Sequence, residues 1–155
     1  MATSKITYQG ELRTTCIHLQ SGSEILTDAP TDNHGKGEAF SPTDLVATAL
    51  GSCMVSIMAI KTRDLDLELK DSTLEVTKIM QAEPRKIAKI VVVLNMSIAT
   101  SDKNKTILER AAMTCPVLLS LHPDIEKEVT FNWKWIRVMS KSNTEWKKEK
   151  PLKKS

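Results

Sequence analysis

Cysteine chemistry is the most specific chemistry this sequence offers. Cys53 and Cys115 each belong to an apolar stretch whose residues recur at helical spacing. A free cysteine commonly serves as a small hydrophobe, and packing is the simplest account of either residue taken alone. Two features point beyond packing. Pro116 follows Cys115 directly, so Cys115 can cap a helix start, where the dipole stabilises a thiolate. Arg13 stands in a strand-like segment that can cover both helices, and a nearby cation favours the ionised form of a thiol. Cys16 shares that segment and reads as a buried strand thiol.

Other chemistries are poorly served. No Cys-x-x-Cys pair occurs, and His18, His34 and His122 have no ligand-like spacing to the cysteines or to one another. Neither a metal nor another cofactor is therefore expected. Gly35-Lys36-Gly37 is too short for a phosphate-binding loop, and no G-x-S-x-G elbow marks a serine nucleophile. His34 is the one histidine in a loop rich in turn residues, the kind of segment that often carries function.

The element that positions Cys53 is a helix over residues 41–60. Ser41 suits the N-cap, Pro42 the first helical position, and Asp44 completes a capping box at the positive end of the dipole. Apolar residues then occupy nearly every face, which predicts a helix buried all round. A membrane span needs roughly 18–20 apolar residues, and this run is shorter and carries Thr48, Ser52 and Ser56, so a core helix is the reading. Ahead of it, residues 6–8, 12–19 and 24–27 read as an antiparallel meander, followed by a loop over 28–37. Behind it, residues 64–70 alternate apolar and polar. Strands follow over 73–80 and 86–98, joined by a hairpin loop containing Pro84. A second helix runs from about Lys103 to Cys115, where Pro116 breaks it and starts a shorter one through Leu121. A last strand over 129–135 puts Val129, Phe131, Trp133 and Trp135 on one face as core residues.

These elements describe one α+β domain over 1–139 with a polar, Lys-rich and disordered tail over 140–155. Residues 141–155 hold six Lys and two Glu, so the net +3 is a +4 tail on a body of −1. A basic tail of this kind solvates, and no nucleic-acid partner is expected. The N-terminus has no signal-peptide core, and 3 widely spaced Cys are no secreted disulfide framework, which points to a reducing cytoplasm. One small sheet and one partner helix barely cover a helix apolar on all sides, so a second subunit is expected.

The block from Phe40 through Pro42, Asp44, Leu45 and Gly51 to Cys53, with the distant Cys115-Pro116-Val117, resembles the osmotically inducible protein C (OsmC) family, which includes the organic hydroperoxide resistance proteins. The resemblance runs from Ile6 to about Trp135. It implies antiparallel sheets around two central helices, an intertwined homodimer, and active sites at the subunit interface. It further implies thiol-dependent reduction of organic hydroperoxides. Cys53 would be the peroxidatic cysteine and Cys115 the resolving one, closing a Cys53–Cys115 disulfide that a dithiol, small or carried on a lipoylated or redox protein, reopens. Arg13 matches the strand arginine that stabilises the thiolate. In the hydroperoxide resistance branch a Glu directly after the Pro holds that arginine. Here Thr43 has that place and Asp44 comes one residue later, a rotation of about 100° on a helix. Asp44 is the nearest match and Glu38 the alternative. Leu50, Met54 and Leu118 would give the thiol apolar surroundings suited to a bulky peroxide. The competing class is a non-catalytic, small-ligand-binding or redox-sensing protein of the same fold.

Overall fold

The computed structural model describes residues 1–134; Trp135 and the tail over 140–155 lie outside the described residues. The chain opens with β1 (Ser4–Gly10), β2 (Arg13–His18) and β3 (Glu24–Asp28), an antiparallel meander ordered β1-β2-β3. A loop containing a 3-10 turn at Thr31–Asn33 leads to helix α1 (Pro42–Thr62). After it come β4 (Thr73–Gln81), β5 (Lys86–Met96), α2 (Asp102–Ala112), α3 (Pro116–Ser120) and β6 (Glu126–Trp133).

The second sheet is ordered β4-β5-β6, with α1 packed on it and α2 and α3 packed on α1. It departs from the expected antiparallel pattern at one seam. β6 runs parallel to β5, because the chain returns through α2 and α3, a crossover long enough to restore the original direction. β5 alternates buried and half-buried residues, as a strand covered on one face should. The alternation slips between Ile87 and Ile90, both buried, where a register shift opposite Ile79 and Met80 admits one extra residue and resets the phase.

The core joins Ala47, Leu50, Met54 and Met58 of α1 to Ile90, Val92, Leu94 and Met96 of β5 and to Leu108 and Ala112 of α2. Gly51 lets α1 lie close on β4: a Cβ there would stand 2.9 Å from Val76 Cγ2. α1 is long and apolar enough to cross a membrane by length and composition alone, but its buried stripe is packed against α2 and the second sheet as a core helix is.

Two expectations need correcting. Within the chain α1 is not buried all round: Ala47, Leu50, Gly51, Met54, Met58 and Thr62 are buried, while Val46 and Ile60 are 39% and 57% exposed. Nor does the strand bearing Arg13 cover the helices. Among the described residues the first sheet packs substantially on neither α1 nor the second sheet, and every residue of β1 except Gly10 is exposed. Its ties to the rest run through the loop over 29–41, by a bridge between Thr27 and Phe40 and an ion pair of Asp32 with Arg85.

Candidate active site

The two thiols meet because α1 and the α2–α3 corner pack together. α1 is fixed at its start by its own sequence. Ser41 Oγ accepts from the Asp44 N–H at 3.1 Å, and the Asp44 carboxylate accepts from the Ser41 N–H at 2.8 Å. Lys78 of β4 adds a partly buried cation to this cap, donating to Asp44 Oδ1 and Thr43 Oγ1, each at 2.8 Å, and to Ser41 Oγ at 3.2 Å. Burial opposes ionisation of Asp44, but Lys78 and the Ser41 N–H and hydroxyl outweigh it and hold its pKa below the ordinary value.

Cys53 lies three turns along α1, half-buried against the core. Cys115 is fully buried and is the N-cap of α3, with Pro116 at the first helical position, as the Cys-Pro step predicts. Its Sγ accepts from the Leu118 N–H at 3.3 Å. Burial pushes the Cys115 thiol up, partly offset by the Leu118 N–H, and the neighbouring Cys53 raises it further through a hydrogen bond and its charge. The pair is therefore asymmetric. One thiol is half-buried, and the other is fully sequestered, its burial favouring the protonated form. All three cysteines are free, and Cys16 is half-buried in β2 with Thr14 Oγ1 3.6 Å from its sulfur. Leu50 and Met54 are wholly buried in the core and offer a substrate no surface; Leu118 is only partly buried.

Arg13 is not brought to the cysteines within this chain. Its guanidinium pairs with Asp28 Oδ2 at 3.2 Å and closely with Glu38 Oε2, and both raise its pKa. Asp44, the nearest match by sequence, does not hold it; capping and Lys78 occupy that carboxylate, as the 100° offset on the helix foretells. Glu38, the alternative, is the partner. Both acids line one open cleft of about 460 Å³, with Phe40, Ala47, Val76 and Lys78, yet they serve different cations. Asp28 escaped the sequence reading because it looks like the first residue of a turn. The signal that could have found it is its place opposite Arg13 once β2 and β3 are put in antiparallel register.

Among the described residues no three His, Cys, Asp or Glu side chains are grouped to hold a metal. His18 bonds Ser21, and His122 accepts from the Asp124 N–H. His34 takes a left-handed conformation at φ 63° in the loop.

An α+β domain in which two central helices bring an accessible and a buried thiol together defines a class of dithiol-bearing folds. The family model described as OsmC-like protein matches residues 35–130, and the chain belongs to that family. A solved structure from Psychrobacter arcticus 273-4, provisionally named an osmotic stress induced and detoxification response protein, is 52% identical with a TM-score of 0.83, covering 85% of this chain and 96% of that one. An organic hydroperoxide resistance protein OsmC from Legionella pneumophila shares 14% identity with a TM-score of 0.67, over 85% and 98% of the two chains. A provisionally named organic hydroperoxide resistance protein from Vibrio cholerae O1 biovar eltor, with captopril in one of its active sites, shares 16% with a TM-score of 0.63, over 85% and 92%. The last two show a shared fold. No curated protein matches the chain.

Proposed function

We propose that this protein is a thiol-dependent peroxidase acting on organic hydroperoxides, working as a homodimer in a reducing cytoplasm. The observation that carries the reading is the asymmetric thiol pair, Cys53 half-buried beside a wholly buried Cys115. Membership of the OsmC-like family supports it.

In the first step the Cys53 thiolate attacks a peroxide oxygen. The S–O bond forms as the O–O bond breaks; sulfur is oxidised to sulfenic acid, and the remainder leaves as an alkoxide that takes up a proton. Cys115 then attacks the Cys53 sulfur. The S–S bond forms, the S–O bond breaks, and the hydroxyl departs with the Cys115 proton as water. An external dithiol, small or carried on a lipoylated or redox protein, reopens the disulfide by two exchanges and is itself oxidised.

Arg13 enters this scheme from a second copy. The first sheet carries exposed Ile6, Tyr8, Ile25 and Leu26 and packs substantially on no other element among the described residues, while the outer side of α1 exposes Val46 and Ile60. Laying the face of one subunit's first sheet that bears Arg13 and the exposed Leu26 over the other's α1 covers apolar surface on both and carries Arg13 towards a thiol. A non-catalytic protein of the same fold predicts a Cys53 pKa near the ordinary ~8.5. Its motive, the displaced Asp44, weakens because Glu38 supplies Arg13 with a carboxylate.

The test mixes reduced protein with cumene hydroperoxide or hydrogen peroxide and follows thiol loss and the Cys53–Cys115 disulfide by peptide mass spectrometry. Faster loss with the organic peroxide, abolished in Cys53→Ser, is expected. Equal rates, or loss that survives Cys53→Ser, would remove the proposal.

A further inference from the structure

The buried anchor of Arg13 is Asp28, and we infer that Asp28 is the positioning residue that aims the guanidinium, with Glu38 in a subordinate place. This rests on the reading of Arg13 as the cation that activates Cys53.

The argument begins with register. Arg13 and Asp28 are direct partners across the β2–β3 ladder, so their side chains leave the sheet on the same face. Asp28 is 0% exposed, whereas the Glu38 side chain is 62% exposed and the Arg13 side chain 24%. A carboxylate shut away from water must keep its counter-charge; one at the surface can exchange it for solvent.

Asp28 also places Glu38. Its Oδ2 accepts the Glu38 backbone N–H at 3.0 Å as well as Arg13 Nη2 at 3.2 Å. Its own N–H donates to the Phe40 carbonyl at 3.1 Å, and the Gly37 N–H donates to the carbonyl of Ala29 at 3.2 Å. The loop can fold this tightly because Gly35 passes against Ala29, where a Cβ would fall 1.7 Å from the carbonyl oxygen. Glu38 therefore reaches Arg13 from a backbone that Asp28 pins down.

Two buried side-chain polar atoms of the described residues lack a partner, and both belong to this pair: Arg13 Nε and Asp28 Oδ1. One is a donor and the other an acceptor. A two-bond fork, Nε–H to Oδ1 and Nη2–H to Oδ2, would satisfy both, a geometry that carboxylates and guanidinium groups favour. Asp28 thus has unused capacity to retain Arg13 when the exposed Glu38 lets go. Losing Asp28 removes the direct anchor and the loop tether together, while losing the Glu38 charge removes one exposed contact.

The experiment follows peptide-resolved iodoacetamide alkylation of Cys53 against pH in the full-length reduced protein, with thermal melts to verify folding. Asp28→Asn is expected to slow alkylation at neutral pH about tenfold, equivalent to a rise of about one pKa unit. Glu38→Gln is expected to change it by less than about threefold, and Arg13→Met to match Asp28→Asn. In the Arg13→Met background Asp28→Asn should add nothing. An additional effect there would mark a merely structural role and overturn the inference. So would an effect of Arg13→Met with none from Asp28→Asn, which leaves the reading of Arg13 intact. No effect of Arg13→Met would instead overturn that reading and the inference with it. If Asp28→Asn folds poorly, Asp28→Ser, which retains an acceptor for the loop, takes its place in the same comparisons.

Discussion

Burial at Cys115 gives the proposed reaction an order of use for its two thiols. On the proposed reading, a sequestered thiol whose pKa is raised stays protonated while the half-buried Cys53 meets the oxidant. Cys115→Ser is accordingly expected to leave the first oxidation intact and to trap Cys53 as sulfenic acid. Dimedone labelling of Cys53 after one equivalent of peroxide should rise sharply in this variant and stay low in the parent, where the disulfide forms first. Equal labelling in both would contradict the resolving role. At this scale the placement of the two thiols was largely legible, because Cys53 and the Cys115-Pro116 step declare themselves through local pattern. Of the acids around Arg13, Glu38 was named only as the alternative to Asp44, and Asp28 was not named. Asp44 is committed by its capping box and by Lys78, while Asp28 and Glu38 reach Arg13 through strand register and a folded loop. Spacing in sequence carries neither.

Among the elements, α1 shows how a local signal and a distant one combine. Its capping box is readable from Ser41 and Asp44 alone, since all of its hydrogen bonds lie within one turn. Lys78 is not readable, because only the packing of β4 against the helix start brings its ammonium to Thr43 and Asp44. Likewise the parallel seam between β5 and β6 depends on the path of the crossover through α2 and α3. The Asp44 arrangement predicts a pH dependence of known sign. With the folded pKa below the ordinary 3.8, its stabilisation is complete above that value and is lost as pH falls through the lower folded one. Acid unfolding followed by circular dichroism should show it. Asp44→Asn is expected to lower stability at neutral pH and to flatten the decline below about pH 4 relative to the parent. A parallel decline in both proteins would mean that Asp44 ionisation contributes nothing.

At the scale of the whole molecule, the all-round apolar character of α1 foretold more cover than a single chain provides, and the fold supplies only half of it. α2, α3 and the second sheet cover one stripe; Val46 and Ile60 remain open, and among the described residues the first sheet packs substantially on no other element. If a second copy closes both gaps symmetrically, each site draws Cys53 and Cys115 from one chain and Arg13 from the other. Complementation tests this directly. Arg13→Met and Cys53→Ser are each expected to impair peroxide reduction strongly when expressed alone. Co-expressed in equal amounts they assort into the two homodimers and a mixed dimer. In the mixed dimer one site joins an intact Cys53 to an intact Arg13, and the other has lost both. Random assortment makes half the dimers mixed and repairs one site in each, so activity should recover to about a quarter of the parent's. Were Arg13 to act on the cysteine of its own chain, neither site of the mixed dimer would be whole, and the mixture would stay as inactive as its components.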